Sequence, residues 1–283
     1  MTQKANVNSF LAMTLSETRF LDVPGGTIAY GVTGPENGPL VVCAHGMGDT
    51  RAAYRLLAPP LVQSGFRVAT VDVRGHGESS TGWASYAPEE VAKDLLALVR
   101  HLGGPAVLVG SSSSTAAGPW AAKMAPDDVA GLVLISPFVR DAQLSWFLRA
   151  AQGAVTHSPL LWTMYYKSLF PVIEPADLGA HLRHLKATLK QRGRMAATRG
   201  VIAPTPVRWT EPAKDVRCPV LVVMGDRDPD FPNPEEEARM AVDLMAPVAR
   251  LAMIDGSGHY PYQDRPEATT EVIRAFLKES VSA

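Results

Sequence analysis

Leu108-Val109-Gly110-Ser111-Ser112-Ser113-Ser114-Thr115-Ala116-Ala117 runs from an apolar segment directly into small residues. Ala106 to Val109 suits a buried strand and Ala116 to Met124 a helix, so the serines occupy the corner between them. A tight strand-to-helix corner strains the backbone at its central residue and needs small neighbours two positions away on either side. It lifts the central side chain above the sheet and aims the N–H groups of the first helical turn at the same space. Centred on Ser112, the corner has Gly110 before it and Ser114 after it, a G-x-S-x-S pattern. Serine at 114 retains a Cβ, so this turn carries crowding that a glycine would avoid. Neither Ser111 nor Ser113 has a glycine two positions earlier. A serine-rich cap satisfying orphan helix N–H groups is the structural alternative for the same residues.

Strands and helices alternate outward from this corner. Arg19 to Val23 and Thr27 to Thr33 flank Pro24-Gly25-Gly26 and read as a hairpin, while residues 1–16 look loosely ordered. Leu40 to Ala44 is an apolar strand ending in His45-Gly46, followed by a helix through Leu56, Leu57, Leu61 and Val62 that Gly65 closes. Arg67 to Val71 is the next strand, and Val91, Leu95, Leu98 and Val99 carry helical spacing after Pro88. Gly131 to Ile135, Pro219 to Met224 and Ala249 to Ile254 read as later strands, with helices at Glu235 to Met245 and Ala268 to Leu277. Strands apolar throughout, separated by helices of about a dozen residues, imply a parallel sheet covered on both faces. The rhythm breaks once, at 138–214, which reads as helical. Residues 1–137 and 215–283 then form one α/β core, and 138–214 an insertion over the carboxyl edge of the sheet, where such folds bind ligands.

The polar residues just past the strands carry the chemistry. A serine hydroxyl is a poor nucleophile until a base takes its proton. His259, in Asp255-Gly256-Ser257-Gly258-His259-Tyr260, follows the last strand between flexible residues. The histidines at 101, 157, 181 and 184 fall in helical segments and have weaker claims. A catalytic imidazole needs a carboxylate to orient it, and Gly225-Asp226-Arg227-Asp228-Pro229-Asp230 offers three. Asp228 is preferred, Asp226 reads as structural, and Asp230 stays an alternative. His45-Gly46-Met47-Gly48 allows close backbone approach, with the Met47 N–H as first oxyanion donor and the Ser113 N–H as second; His45 and Gly46 support that loop.

These segments resemble the α/β-hydrolase fold family, in particular its serine esterase-like members with a helical cap. Asp72-Val73-Arg74-Gly75-His76-Gly77-Glu78-Ser79 is similar to that family's D-x-R-G-x-G-x-S segment, and His45-Gly46-Met47-Gly48 to its oxyanion loop. The resemblance spans residues 18–137 and 215–281. It implies a mostly parallel eight-stranded sheet with helices on both faces and a helical cap at 138–214. It also implies Ser112 as nucleophile, Asp228 as acid and His259 as base, with a structural part for 72–79. Family members commonly carry His where Ser111 stands and Gly where Ser114 stands. Serine at 112 argues against the family's haloalkane dehalogenases and epoxide hydrolases, which use Asp there, and its dienelactone hydrolases, which use Cys.

The expected activity is hydrolysis of a small-molecule carboxylic ester or lactone through an acyl-enzyme, with no cofactor or metal. Carbon–carbon bond or amide hydrolysis and cofactor-free peroxidation use the same scaffold. A non-catalytic ligand receptor retaining the triad is the reading of another class, and Ser114 is its main support. Trp146, Trp162, Tyr165, Tyr166 and Trp209 are candidates for a substrate pocket, against the alternative of packing within the cap. The cap arginines 149, 183, 192, 194 and 199 read as solvated. The 283 residues include 27 basic and 28 acidic side chains, a net charge of -1 that supplies no attraction for nucleic acid. Two cysteines, Cys43 and Cys218, read as buried thiols. Nothing resembles a secretory signal or a membrane span, so the expectation is a cytoplasmic protein, monomeric or weakly dimeric.

Overall fold

A computed structural model describes residues 17–139, 153–202 and 210–280. The sheet contains β1 (Arg19–Val23), β2 (Gly26–Thr33), β3 (Leu40–Ala44), β4 (Arg67–Asp72), β5 (Ala106–Ser111), β6 (Val129–Ile135), β7 (Val220–Gly225) and β8 (Ala249–Ile254). Its eight strands lie in the order β1-β2-β4-β3-β5-β6-β7-β8. β2 runs antiparallel to both neighbours, and every pairing from β4 across to β8 is parallel.

Strand side chains alternate between faces, so a strand covered on both sides is apolar at every position. β3, β5 and β7 are buried along their whole length. Leu40, Val42 and Ala44 of β3 enter one core, and Val41 and Cys43 enter the other. The first core is closed by α2 (Pro88–His101), α3 (Ala117–Met124) and α8 (Pro234–Leu244); the second by α1 (Ala58–Gln63), α9 (Pro261–Asp264) and α10 (Pro266–Ser280). Each fully buried Val, Leu or Ile contributes about 1.5–3 kcal/mol relative to exposure, so the two cores fix the strand register. The expected helix over 56–62 divides into a 3-10 turn at Arg51–Leu56 and α1, with Pro59 in the first turn of α1, where a missing N–H costs no hydrogen bond. Cys43 lies on β3, whereas Cys218 is half-buried just before β7.

Between β6 and β7 the chain leaves the sheet. The described part of this insertion contains α4 (Pro159–Ser168), α5 (Leu178–Leu189), α6 (Arg194–Ile202) and α7 (Thr210–Ala213). Trp162, Tyr166, Leu169, Leu178, Leu185 and Leu189 join the same core as α1 and α10, which seats the cap on that side, while α7 packs against α3. Trp146, Trp209, Arg149 and residues 1–16 lie outside the described residues. Arg194 departs from a solvated reading: it is half-buried and donates to the carbonyls of His76 and Ser79 at 3.2 and 2.5 Å.

The 72–79 segment is a buried brace. Asp72 accepts the N–H groups of Arg51 and Glu78 at 2.7 and 3.0 Å and pairs with the Arg51 guanidinium. Gly77 is required there, because a β-carbon on it would lie 2.0 Å from the Asp72 carboxyl carbon. Arg74 forks onto both Asp94 oxygens at 2.8 Å and lies over the Trp83 ring. Among the described residues no helix is long and apolar enough to cross a membrane.

Candidate active site

β3, β5, β6, β7 and β8 are parallel, so the residues that follow them gather at one edge of the sheet. Ser112 follows β5 with φ 53°, the left-handed region that a side chain adopts only under constraint. A 3-10 turn, Ser112–Ala116, then leads into α3. Closure of this corner brings the chain back on itself, since a β-carbon at Gly110 would lie 2.7 Å from the Ser114 carbonyl oxygen. Ser114 is accommodated by a specific bond: its hydroxyl donates 2.5 Å to the His45 carbonyl, tying the corner to the loop after β3. The Ser111 hydroxyl accepts from the Tyr262 hydroxyl at 3.3 Å.

The loop after β3 closes as a turn from the Asp49 N–H to the Gly46 carbonyl (3.3 Å), with Met47 and Gly48 at its tip. A β-carbon on Gly46 would lie 3.0 Å from the Ser112 Cβ and 3.4 Å from the Tyr260 hydroxyl, so this loop passes hard against the serine corner. His45 has both ring nitrogens in use. Nδ1–H donates to the Gly46 carbonyl (2.7 Å), and Nε2 accepts the Val73 N–H at 3.2 Å. It is a brace for the turn.

His259 and Asp228 meet directly. Asp228 Oδ2 is 2.7 Å from His259 Nδ1, and a carboxylate only accepts, so Nδ1 carries the hydrogen. Asp228 Oδ1 takes the Asp230 N–H at 3.0 Å, while Asp230 stands 3.8 Å from the same imidazole nitrogen. Distance thus separates the two candidate acids. Asp226 accepts the Ser257 N–H at 3.3 Å and joins the loops after β7 and β8. Burial opposes a charge on the His259 ring, but the Asp228 carboxylate and its hydrogen bond outweigh it, and the His259 pKa lies above its ordinary value. Phe138 and Phe231 stand beside the imidazole at 5.7 and 6.2 Å between ring centroids. Among the described residues, the single group of side chains able to offer a metal ion three ligand atoms is Asp228, Asp230 and His259. A shared ion there would compete with the Asp228–His259 hydrogen bond.

The cap reaches both sides of this edge from one helix. On α4, the Trp162 indole N–H donates to the Gly48 carbonyl (3.1 Å), Tyr166 donates to Asp49 Oδ2 (2.6 Å), and Tyr165 donates to Asp230 (2.8 Å). Spacings of three and four place these residues on one helix face. Trp162 and Tyr166 are 2% and 0% exposed, with their polar tips committed to the core domain. Asp49 was not picked out by sequence reasoning. Buried, it also accepts the Thr50 N–H at 2.7 Å and faces His181 Nε2 at 3.1 Å. Burial would raise its pKa, yet His181 with His45 and Tyr166 holds it down at about 2. Gln263 donates to Tyr166 (2.8 Å) and accepts from Arg55 (2.9 Å), and Arg55 forks onto Asp177 of the cap. The one sequence signal for this cluster was an aspartate directly after the His45–Gly48 turn; its partners are more than a hundred residues distant. The His259 loop is also pinned by the cap, its N–H donating to the Leu169 carbonyl at 3.0 Å.

Comparison with known proteins agrees with this architecture. The chain is 31% identical over 285 residues to a proline iminopeptidase of Pestalotiopsis fici, covering 92% of this chain and 99% of the other. It is 27% identical over 256 residues to the sn-1-specific diacylglycerol lipase of Mus musculus, covering 84% and 81%. A solved esterase from Thermogutta terrifontis superposes with a TM-score of 0.74 at 26% identity over 94% of this chain and 99% of that one. The model described as the alpha/beta hydrolase family matches residues 41–272, and the chain belongs to that family.

Proposed function

We propose that this protein is a serine hydrolase that cleaves a small-molecule carboxylic ester or lactone through an acyl-enzyme. The observation that carries the reading is a serine held at φ 53° at the sheet edge where Asp228 and His259 pair at 2.7 Å. His259 accepts the Ser112 proton as the hydroxyl attacks the carbonyl carbon. The N–H groups of Met47 and Ser113 receive the developing oxyanion. His259 then protonates the departing alcohol, and water activated by the same imidazole releases the acid and restores Ser112. Asp228 stays ionised and holds the imidazole with Nδ1 protonated, leaving Nε2 to exchange protons.

Support also comes from Ser114, the residue that favoured a receptor reading. Its hydroxyl bonds the His45 carbonyl at 2.5 Å, so the corner closes around serine rather than failing without glycine. The relatives named proline iminopeptidase, diacylglycerol lipase and esterase favour acyl transfer without naming the leaving group. Trp162 and Tyr166 serve as cap anchors in this account; Tyr165, half-buried, is the cap aromatic beside the acid loop. A panel of short-chain, medium-chain and aromatic acyl esters tests the reading. Wild-type protein is expected to hydrolyse at least one, and folded Ser112→Ala to retain only the residual rate due to binding and oxyanion donors. Equal rates in the two proteins would overturn it.

A further inference from the structure

His259 faces two carboxylates, and only Asp228 is within hydrogen-bond distance of it. Asp228 is engaged by its own loop, Oδ1 by the Asp230 N–H at 3.0 Å and Oδ2 by the imidazole at 2.7 Å. Asp230 Oδ2 stands 3.8 Å from His259 Nδ1. That is too long for a hydrogen bond and well within Coulombic reach. The Asp230 side chain is only 17% exposed, so water screens it poorly. Its two oxygens instead receive the Tyr165 hydroxyl, at 3.0 and 2.8 Å, from α4 of the cap.

The groups around this arrangement come from three elements. The loop after β7 supplies Asp228 and Asp230, the loop after β8 supplies His259 and Tyr260, and α4 supplies Tyr165. Phe138 and Phe231 add apolar surface at the imidazole. Burial raises the Asp230 pKa, as does the neighbouring Asp228 charge, whereas the His259 charge and the Tyr165 hydrogen bond favour the ionised form. The net shift is upward.

We propose that Asp230 is a positioning residue that sets the basicity of His259, and that Tyr165 governs it from the cap. This rests on the reading of His259 as the base. Orientation of the ring belongs to Asp228, through the direct hydrogen bond. Asp230 acts through space, adding a second negative charge for the imidazolium formed when Ser112 gives up its proton. The Tyr165 hydroxyl, bonded to both Asp230 oxygens, holds that charge beside the ring, and its loss frees the carboxylate to swing away.

NMR titration of histidine-labelled full-length protein tests this without requiring turnover, with the His259 signal assigned by its loss in His259→Gln. Asp230→Asn is expected to lower the His259 pKa by about one pH unit. Tyr165→Phe should shift it in the same direction by less, and should add nothing in the Asp230→Asn background. An unmoved His259 titration in Asp230→Asn would overturn the proposal. So would a Tyr165→Phe shift of the same size in both backgrounds, because Tyr165 would then act independently of Asp230. Both substitutions nearly preserve shape; should Asp230→Asn fail to fold, an unshifted titration in Tyr165→Phe alone refutes the idea. Failure of the serine-hydrolase reading would appear separately, as absence of phosphonate labelling.

Discussion

Tyr166→Phe removes one oxygen from the buried junction between cap and core. That oxygen donates to Asp49 Oδ2 at 2.6 Å and accepts from Gln263 at 2.8 Å, within a fully buried residue. A hydrogen bond to a charged group contributes about 1.5–3 kcal/mol, and a buried donor left unpaired costs about 1–3 kcal/mol more. The two effects share one site, and Gln263 can relax toward other partners, so they do not add in full. A loss of about 3 kcal/mol follows, which lowers the melting midpoint by roughly 6–12 °C for a chain of this size. Equilibrium urea unfolding at pH 7, read by circular dichroism and supported by calorimetry, measures it. Tyr165→Phe is the internal control, because its hydroxyl meets the less deeply buried Asp230; its expected cost is about 1.5 kcal/mol. Equal effects of the two substitutions, or a Tyr166→Phe loss below about 1 kcal/mol, would refute the claim that Asp49 is anchored by the cap.

Ser114→Ala leaves the buried His45 carbonyl without its 2.5 Å donor; urea unfolding should show a loss of about 1–3 kcal/mol, while mass spectrometry still finds phosphonate on Ser112. Gly258→Ala would put a β-carbon 2.1 Å from the Leu169 carbonyl, which accepts the His259 N–H at 3.0 Å. The forced displacement should slow ester turnover on the order of a hundredfold in a protein that remains folded by circular dichroism. The base must be neutral to act, so kcat/KM should rise with pH to a midpoint above 6.5, following the raised pKa of His259. By linkage, the stability His259 gains from its charged pairing is complete below 6.5 and fades as pH rises through the folded value. Asp228→Asn should move the kinetic midpoint downward and reduce kcat by up to about 10⁴-fold, and a pH–rate profile checks both.

The sheet was legible because its strands are apolar on both faces. Val41 and Cys43 of β3 enter one core while Leu40 and Val42 enter the other, and only a strand between two helical layers tolerates that pattern. The serine corner was legible from Gly110 and the small residues after Ser112, which allow the chain to fold back so closely that a β-carbon on Gly110 would lie 2.7 Å from the Ser114 carbonyl oxygen. Three aspartates in one loop look alike in sequence; the choice among them is a matter of 2.7 Å against 3.8 Å to His259. The cap aromatics were not legible either. Leucine-rich helical sequence carries the same pattern whether a ring lines a cavity or packs, and the polar partners of Trp162, Tyr165 and Tyr166 lie at Gly48, Asp230 and Asp49, far away in the chain. His181 and His184 read as ordinary helical histidines for the same reason, although His181 stands 3.1 Å from the Asp49 carboxylate.

Treatment of the full-length protein with a fluorophosphonate, followed by intact-mass measurement and peptide mapping, tests the central claim most directly. The phosphorus reagent stands in for the acyl carbon, and only an activated nucleophile displaces its fluoride. A single adduct is expected, on Ser112, absent from Ser112→Ala and present at full level in Ser111→Ala. An adduct on Ser111 or Ser113, or a folded wild-type protein that takes up no label and turns over no ester, would contradict the assignment of Ser112 as nucleophile.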